Sequence, residues 1–275
     1  MHAHHLETDS AAIAGNGAIG RYFLLPGSLD RAERIGARLT GTQRISNRRR
    51  LDVFLGRWGN IDVGVVPTGM GCPSVDIVVT ELIQLGVRRM TRVGTSGSLQ
   101  AQAKIGDVVI ATGAVRDEST SDVYTPRGFP AVACPFMVDA YAEAAVNAGL
   151  GERVHAGLVH SKDSFFGREF GCGPDGKRNH EYMDRLIKAG VIASEMEAAH
   201  LFVLGSVYGG APTHVSALRT AEARLRCGAL LAIIGTPEAG IASREQEVEA
   251  EERLISLALA GTVELARRES VTPAR

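Results

Sequence analysis

Hydrophobic positions along the chain switch repeatedly between a two-residue repeat and a helical one. Tyr22–Leu25 is a short apolar run closed by Pro26-Gly27, and Ser28 is placed to cap a helix carrying Leu29, Ala32, Ile35 and Leu39 on one face. Arg50–Trp58 alternates, Asn60–Val66 is rich in β-branched residues, and Gly59-Asn60 between them reads as a hairpin turn. Thr68-Gly69-Met70-Gly71-Cys72-Pro73 interrupts the pattern, and Pro73 suits the first turn of a helix running to about Leu85. Further strands are predicted over Met90–Val93, Val108–Ala111, Val154–His160, Val191–Ala193 and Thr213–Leu218. Helices are predicted over Val138–Ala148, Glu181–Lys188, Glu197–Tyr208 and about Ser243–Arg267. Such alternation indicates an α/β architecture around a central sheet. Without an internal repeat or a Pro/Ser-rich linker, one domain over residues 1–275 is expected, with residues 1–18 as an N-terminal arm. The glycine-dense Gly167–Lys177 reads as a loop within a flexible flap over residues 167–180, and Glu269–Arg275 as a frayed tail.

Composition narrows the function classes. The 275 residues are 45% apolar and 22% charged, and 30 Lys+Arg against 31 Asp+Glu leave a net charge of −1. That balance argues against disorder and lacks the basic excess of a nucleic-acid binder. The longest apolar run, Ala229–Ile234, is too short for a membrane span. The first ten residues carry Glu7 and Asp9 and no apolar signal-peptide core, so a cytoplasmic protein is expected. Cys72, Cys134, Cys172 and Cys227 lie far apart, and the histidines cluster only at His2, His4 and His5, so no metal site is expected.

Three constellations could carry chemistry. Arg31 after Pro26-Gly27, Arg48 in a basic run, and Arg92 before Val93-Gly94-Thr95-Ser96-Gly97 put guanidinium groups beside turns and strand ends, suited to a tetrahedral oxyanion. Arg92 stands out, because a charge before an apolar strand end needs a partner. Thr68-Gly69-Met70-Gly71 lacks the third glycine of a dinucleotide fingerprint but can bring backbone close to a ligand. Glu195 and Glu197 flank Met196 at a strand end, where an i, i+2 pair points both acids one way to grip vicinal hydroxyls, or merely starts an acid-rich helix.

Pro-Gly-x-x-x-Arg, Thr-Gly-x-Gly-x-Pro-Ser, Arg-x-Gly-Thr-x-Gly, Ser-x-Asp-x-Phe at Ser161–Phe165 and Glu-Met-Glu at 195–197 occur in one order. Their order and spacing resemble the nucleoside phosphorylase superfamily, most closely its uridine phosphorylase branch, over roughly Leu24 to Thr220. The resemblance implies a single α/β domain with a central mixed, partly barrel-like sheet flanked by helices. It implies a pentosyltransferase that reversibly cleaves a uridine-like nucleoside to base and ribose 1-phosphate. No cofactor is implied, only inorganic phosphate as co-substrate.

Carried onto matching positions, the resemblance places phosphate on Gly27, Arg31, Arg48, Arg92 and Thr95. Ribose falls to His5, Met196 and Glu197, and the base to Thr95, Ser96, Gly97, Phe165, Glu169 and Arg219, with Arg92, Glu197 and Arg219 closest to the chemistry. His5 and Arg48 would cross from a neighbouring subunit, which implies a homodimer as minimal unit, usually within a hexamer.

Several positions depart from the family pattern. Ser28 stands for the usual Asp after Pro-Gly, and Arg49 replaces a Glu that in some relatives helps bind a monovalent cation between subunits. The uracil-reading Gln-x-Arg becomes Glu169 and Gly171 in an ungapped register, while a shifted one brings in Arg168 or Arg178. A Glu repels a carbonyl oxygen and prefers a donor edge, such as the amino group of cytosine or a modified base. Ala217 and Leu218 stand where the bacterial purine branch has Ser-Asp, which disfavours a purine site of that type. A purine or modified-nucleoside phosphorylase, a hydrolytic nucleosidase and a silent nucleoside-binding protein are the alternatives. The retained arginines argue against the last two.

Overall fold

The computed structural model describes residues 2–210 and 224–270. The expected strand Thr213–Leu218 lies outside the described residues, as do Ala217 and Arg219. The strands are β1 (Tyr22–Pro26), β2 (Thr40–Ile45), β3 (Val53–Trp58), β4 (Ile61–Val65), β5 (Arg89–Ser98), β6 (Val108–Asp117), β7 (Ala131–Val132), β8 (Val154–Lys162), β9 (Ala193–Glu195), β10 (Arg226–Thr236) and β11 (Gly240–Ile241). The helices are α1 (Leu29–Gly36), α2 (Cys72–Gln84), α3 (Pro135–Asn147), α4 (Phe165–Phe170), α5 (Gly176–Lys188), α6 (Ala198–Gly209) and α7 (Arg244–Ser270).

All the strands join one mixed sheet, part of which closes on itself. β5 pairs with β10, β10 with β6, β6 with β8, β8 with β9, and β9 returns to β5. The result is the expected barrel, with β1, β4, β3 and β2 continuing outward from β5 as an open wing. Closure demands local bending, and the register slips where β10 meets β5 (Ile233/Gly235) and where β6 meets β8 (Ala111/Gly113).

Apolar clusters cover both faces of the sheet. Phe23, Met90 and Leu231 pack with Val78 and Leu82 of α2 and with Leu201 and Phe202 of α6. On the other face Val93, Ile110 and Leu230 pack with Ile35 of α1, Tyr141 of α3 and Leu254 and Ala258 of α7. Strands buried on both faces read as continuous apolar runs. This accounts for β10, whose Ala229–Ile234 run carries no alternation.

Two expectations need correction. Within the glycine-dense segment only Gly171–Asp175 lacks helical structure: α4 covers Phe165–Phe170, and α5 begins at Gly176. Ser164 Oγ caps α4 by accepting from Gly167 N, and Asn179 Nδ2 reaches back from α5 to Gly167 O at 2.9 Å. Nor does the tail fray at Glu269. Its carboxylate is buried, accepting from Arg89 Nε at 2.6 Å and from the Tyr22 hydroxyl. A buried arginine at the foot of β5 requires that counter-charge, and α7 supplies it.

Candidate active site

β5 carries Arg92 into the face lined by α2 and α6. The guanidinium folds back over Gly94, where a Cβ would stand 2.8 Å from Nη2, so only glycine leaves it room. Arg92 Nε donates to Glu195 Oε2 at 3.0 Å and Nη2 donates to Glu197. Nη1 is buried with no hydrogen-bond partner among the described residues.

The two acids do turn the same way, but they are not equivalent. Glu195 is filled: it accepts from Arg92, from the backbone N–H groups of Glu197 and Ala198, and from the Ser161 hydroxyl. It anchors the start of α6, so for Glu195 the acid-rich helix start is the reading that the contacts favour. Glu197 accepts from Gly71 N at 2.6 Å and from Met196 N at 3.2 Å. Burial, opposed by Arg92 but assisted by neighbouring Glu195, holds the Glu197 carboxyl above the usual carboxylate range. Against the pull of burial, Glu197 and Glu195 hold Arg92 above its ordinary value.

The glycine turns meet here as well. Thr68 N donates to Pro26 O at 2.8 Å, which lays the Thr68–Gly71 turn against the Pro26-Gly27 turn. Gly71 sits at φ +83°, a conformation that frees its N–H for Glu197. Cys72 donates to Met196 O at 3.2 Å, and burial pushes its thiol far up, so it is no thiolate nucleophile.

Further along β5 only Thr95 and Gly97 are half-buried, a period-two opening beside otherwise covered strand. Glu169 Oε1 lies 3.8 Å from the point where a Gly97 Cβ would stand. That carboxylate accepts from Lys162 Nζ at 2.7 Å, and Lys162 also donates to Ser194 Oγ at 2.7 Å. The ammonium lies 5.7 Å from the Phe165 ring centroid.

Residues 21–260 match the family profile described as Phosphorylase superfamily. The chain is 38% identical to uridine phosphorylase of Treponema pallidum over 221 residues, 79% of this chain and 78% of that one. It is 38% identical to uridine phosphorylase of Thermococcus kodakarensis over 198 residues, 70% of each chain. It is 31% identical to guanosine phosphorylase of Halorubrum lacusprofundi over 224 residues, 82% of each chain. The chain belongs to the phosphorylase superfamily. It is an enzyme of the nucleoside phosphorylase type, uridine phosphorylase-like.

Within the chain of this phosphorylase, Gly27, Arg92, Met196 and Glu197 come together, and Gly97 and Phe165 flank the Lys162–Glu169 pair. Ser28 caps α1 as expected, its Oγ accepting from Arg31 N at 3.2 Å. Ser96 is buried, its hydroxyl turned to Ala232 O at 3.4 Å. Arg31 is engaged elsewhere: Nη1 donates to Val93 O at 3.1 Å and Nη2 to Glu251 of α7. Arg48 is exposed and pairs with Glu7 at 2.7 Å, so one chain does not bring the three arginines together.

The N-terminal arm is bound down, with Leu6 fully buried. Glu81 of α2 accepts from His5 N, His5 Nδ1 and Leu6 N. Against the push of burial, those donors hold the Glu81 carboxyl below its usual range. Neither His5 nor Arg48 hydrogen-bonds to Arg92, Glu195 or Glu197.

Sequence reasoning missed Lys162, Ser194 and Asp117. Asp117 accepts from both Arg168 Nε and Nη2 and contacts His160 Nε2 at 2.9 Å; burial notwithstanding, these donors hold it below the usual range. Arg168 is thereby committed to Asp117 and Asn179, and Arg178 is exposed. The one available signal was Lys162 itself, a charge at the end of the strand predicted over Val154–His160.

Proposed function

We propose that the site performs phosphorolysis of a uridine-like nucleoside in the cytoplasm, using phosphate alone as co-substrate. The observation that carries this reading is Arg92, buried between Glu195 and Glu197 with one guanidinium edge unpartnered. That edge, the Gly27 turn and Thr95 offer donors to a phosphate. Glu197 offers carboxylate oxygens to ribose hydroxyls beside it. A phosphate oxygen attacks C1′ as the C1′–N bond breaks, and the bond pair leaves with the base. The sugar passes through an oxocarbenium-like state, so the dominant contributions are positioning and fixed charge. No covalent nucleophile is required.

His5 and Arg48 complete the site from a neighbouring subunit in this reading. The pairing of Arg48 with Glu7, two residues after His5, supports it, because the two would cross together. A dimer is then the smallest competent unit, within a hexamer. Gly27, Arg31, Arg48, Arg92 and Thr95 serve phosphate, His5, Met196 and Glu197 serve ribose, and Thr95, Ser96, Gly97, Phe165, Glu169 and Arg219 serve the base. Arg31 would exchange its Glu251 partner for phosphate or act through it.

A panel of nucleosides assayed with and without inorganic phosphate tests the reading. Cleavage that requires phosphate and yields ribose 1-phosphate is expected; equal cleavage without phosphate would make the protein a hydrolase instead.

A further inference from the structure

We infer that Lys162 and Glu169 act as one reader of the base, selecting bases with an adjacent ring N–H and exocyclic carbonyl, as in uracil or a 6-oxopurine. This rests on the phosphorylase reading above and assigns Lys162 a role that the family motif does not. Alternation along β8 sends Ser161 to Glu195 on the ribose side and Lys162 to Ser194 on the other. The Lys162–Glu169 pair is therefore built on the same strand end as the sugar grip, one residue further on.

The valences of the pair are only partly used. Lys162 has three N–H donors, and Glu169 and Ser194 take two of them. Glu169 Oε1 accepts from Lys162, while Oε2 has no partner among the described residues. One donor and one acceptor thus remain, next to the half-buried Gly97 and the Phe165 ring. The Lys162 side chain is 2% exposed and that of Glu169 18%, so the pair is desolvated and opens on the carboxylate side.

A carboxylate alone would repel a carbonyl oxygen and favour an amino-bearing edge. With an ammonium beside it the preference changes. The carboxylate accepts the ring N–H, and the ammonium donates to the neighbouring carbonyl. As the C1′–N bond pair moves onto the base, the charge spreads to that carbonyl oxygen, where the ammonium stabilises it. An amino group in the same place would set one donor against another. The ammonium is itself held in place: Ser194 Oγ lies 3.0 Å from His160 Nδ1, and His160 Nε2 lies 2.9 Å from Asp117. A buried ion pair that only held α4 would gain little over apolar residues of the same volume.

Calorimetric binding of uracil, hypoxanthine, cytosine and adenine, each methylated at its glycosidic nitrogen so that the only ring N–H is one the nucleoside also has, in phosphate buffer, tests this without depending on turnover. The wild-type protein is expected to bind uracil or hypoxanthine at least ~10-fold more tightly than cytosine and adenine, as hydrogen bonds to charged groups allow. Comparing the two favoured bases tells pyrimidine from purine. Lys162→Met should erase that preference. Glu169→Gln, at a partly exposed position, should reduce it even if Lys162→Met fails to fold. Preferred binding of cytosine or adenine by the wild type would overturn the inference. So would a Lys162→Met protein that melts lower but keeps the wild-type ratios, since the pair would then be structural. A protein that binds these bases with the expected preference yet cleaves no nucleoside in phosphate would count against the phosphorylase reading alone.

Discussion

Arg92 and Glu197, 105 residues apart in the chain, share a buried charge-assisted hydrogen bond, and Glu197 spends its other oxygen on Gly71 N. The cation that would hold phosphate and the anion that would hold ribose are therefore each other's partners. Two carboxylates around one guanidinium leave this corner with excess negative charge, which an additional donor from the substrate would relieve.

Replacing Arg92 with Ala should abolish phosphate-dependent turnover and leave Glu195 and Glu197 buried without their cation. Breaking a buried pair in this way costs about 3–5 kcal/mol of stability. Arg92→Lys should recover much of the fold but little activity, because a single ammonium cannot span both acids and a phosphate. Urea midpoints measured beside turnover separate the two effects. Near-normal phosphorolysis in Arg92→Ala would remove phosphate from this corner.

Glu197 should set an acid limb in kcat/KM. Its carboxyl is held above the usual range by burial and by Glu195, and ribose needs the ionised form. Activity should then fall on acidification at a pH above that of an ordinary glutamate. For folding the sign is opposite: a raised native pKa makes stability decline as pH rises from the unfolded value toward the folded one. Glu197→Gln should lower kcat/KM at neutral pH and lose the limb. An unchanged pH profile in that variant would assign the limb to another group.

The N-terminal arm should come loose in acid. Glu81 is held below 4.5 by donors from His5 and Leu6, so its contribution is complete above the unfolded value and disappears as pH falls through the folded one. Glu81→Gln should release the arm at neutral pH, visible as faster hydrogen exchange over His5 and Leu6. If His5 completes a neighbour's site, the same variant loses activity without losing the barrel. Unaltered exchange would show that the burial of Leu6 alone retains the arm.

The legible parts of the fold are those with a one-sided repeat or with turn residues marking their ends. α1 and α2 carry a one-sided apolar face, Ser28 and Pro73 mark their starts as their chemistry requires, and Pro26-Gly27 marks the end of β1, although β1 is covered on both faces. β10 was not legible, because a strand covered on both faces loses its alternation. β2 (Thr40–Ile45) is polar and exposed and is a strand only because β3 pairs with it. In the site, Arg92 announced its need for a partner through its apolar setting, and Glu197 met it. The separate duties of Glu195 and Glu197 depend on Ser161 and the start of α6, which spacing cannot reveal. Lys162 is one of only four lysines in the chain, and nothing in its sequence neighbours shows that β9 sets Ser194 beneath it.

Because β10 closes the ring of strands and Glu269 neutralises Arg89, the stave and the counter-charge that complete β5 are both made well after it. Until then β5 and β6 each lack a neighbour, leaving apolar strand edges able to recruit other nascent chains. Premature termination anywhere before α7 is complete should yield aggregated protein rather than a smaller working one.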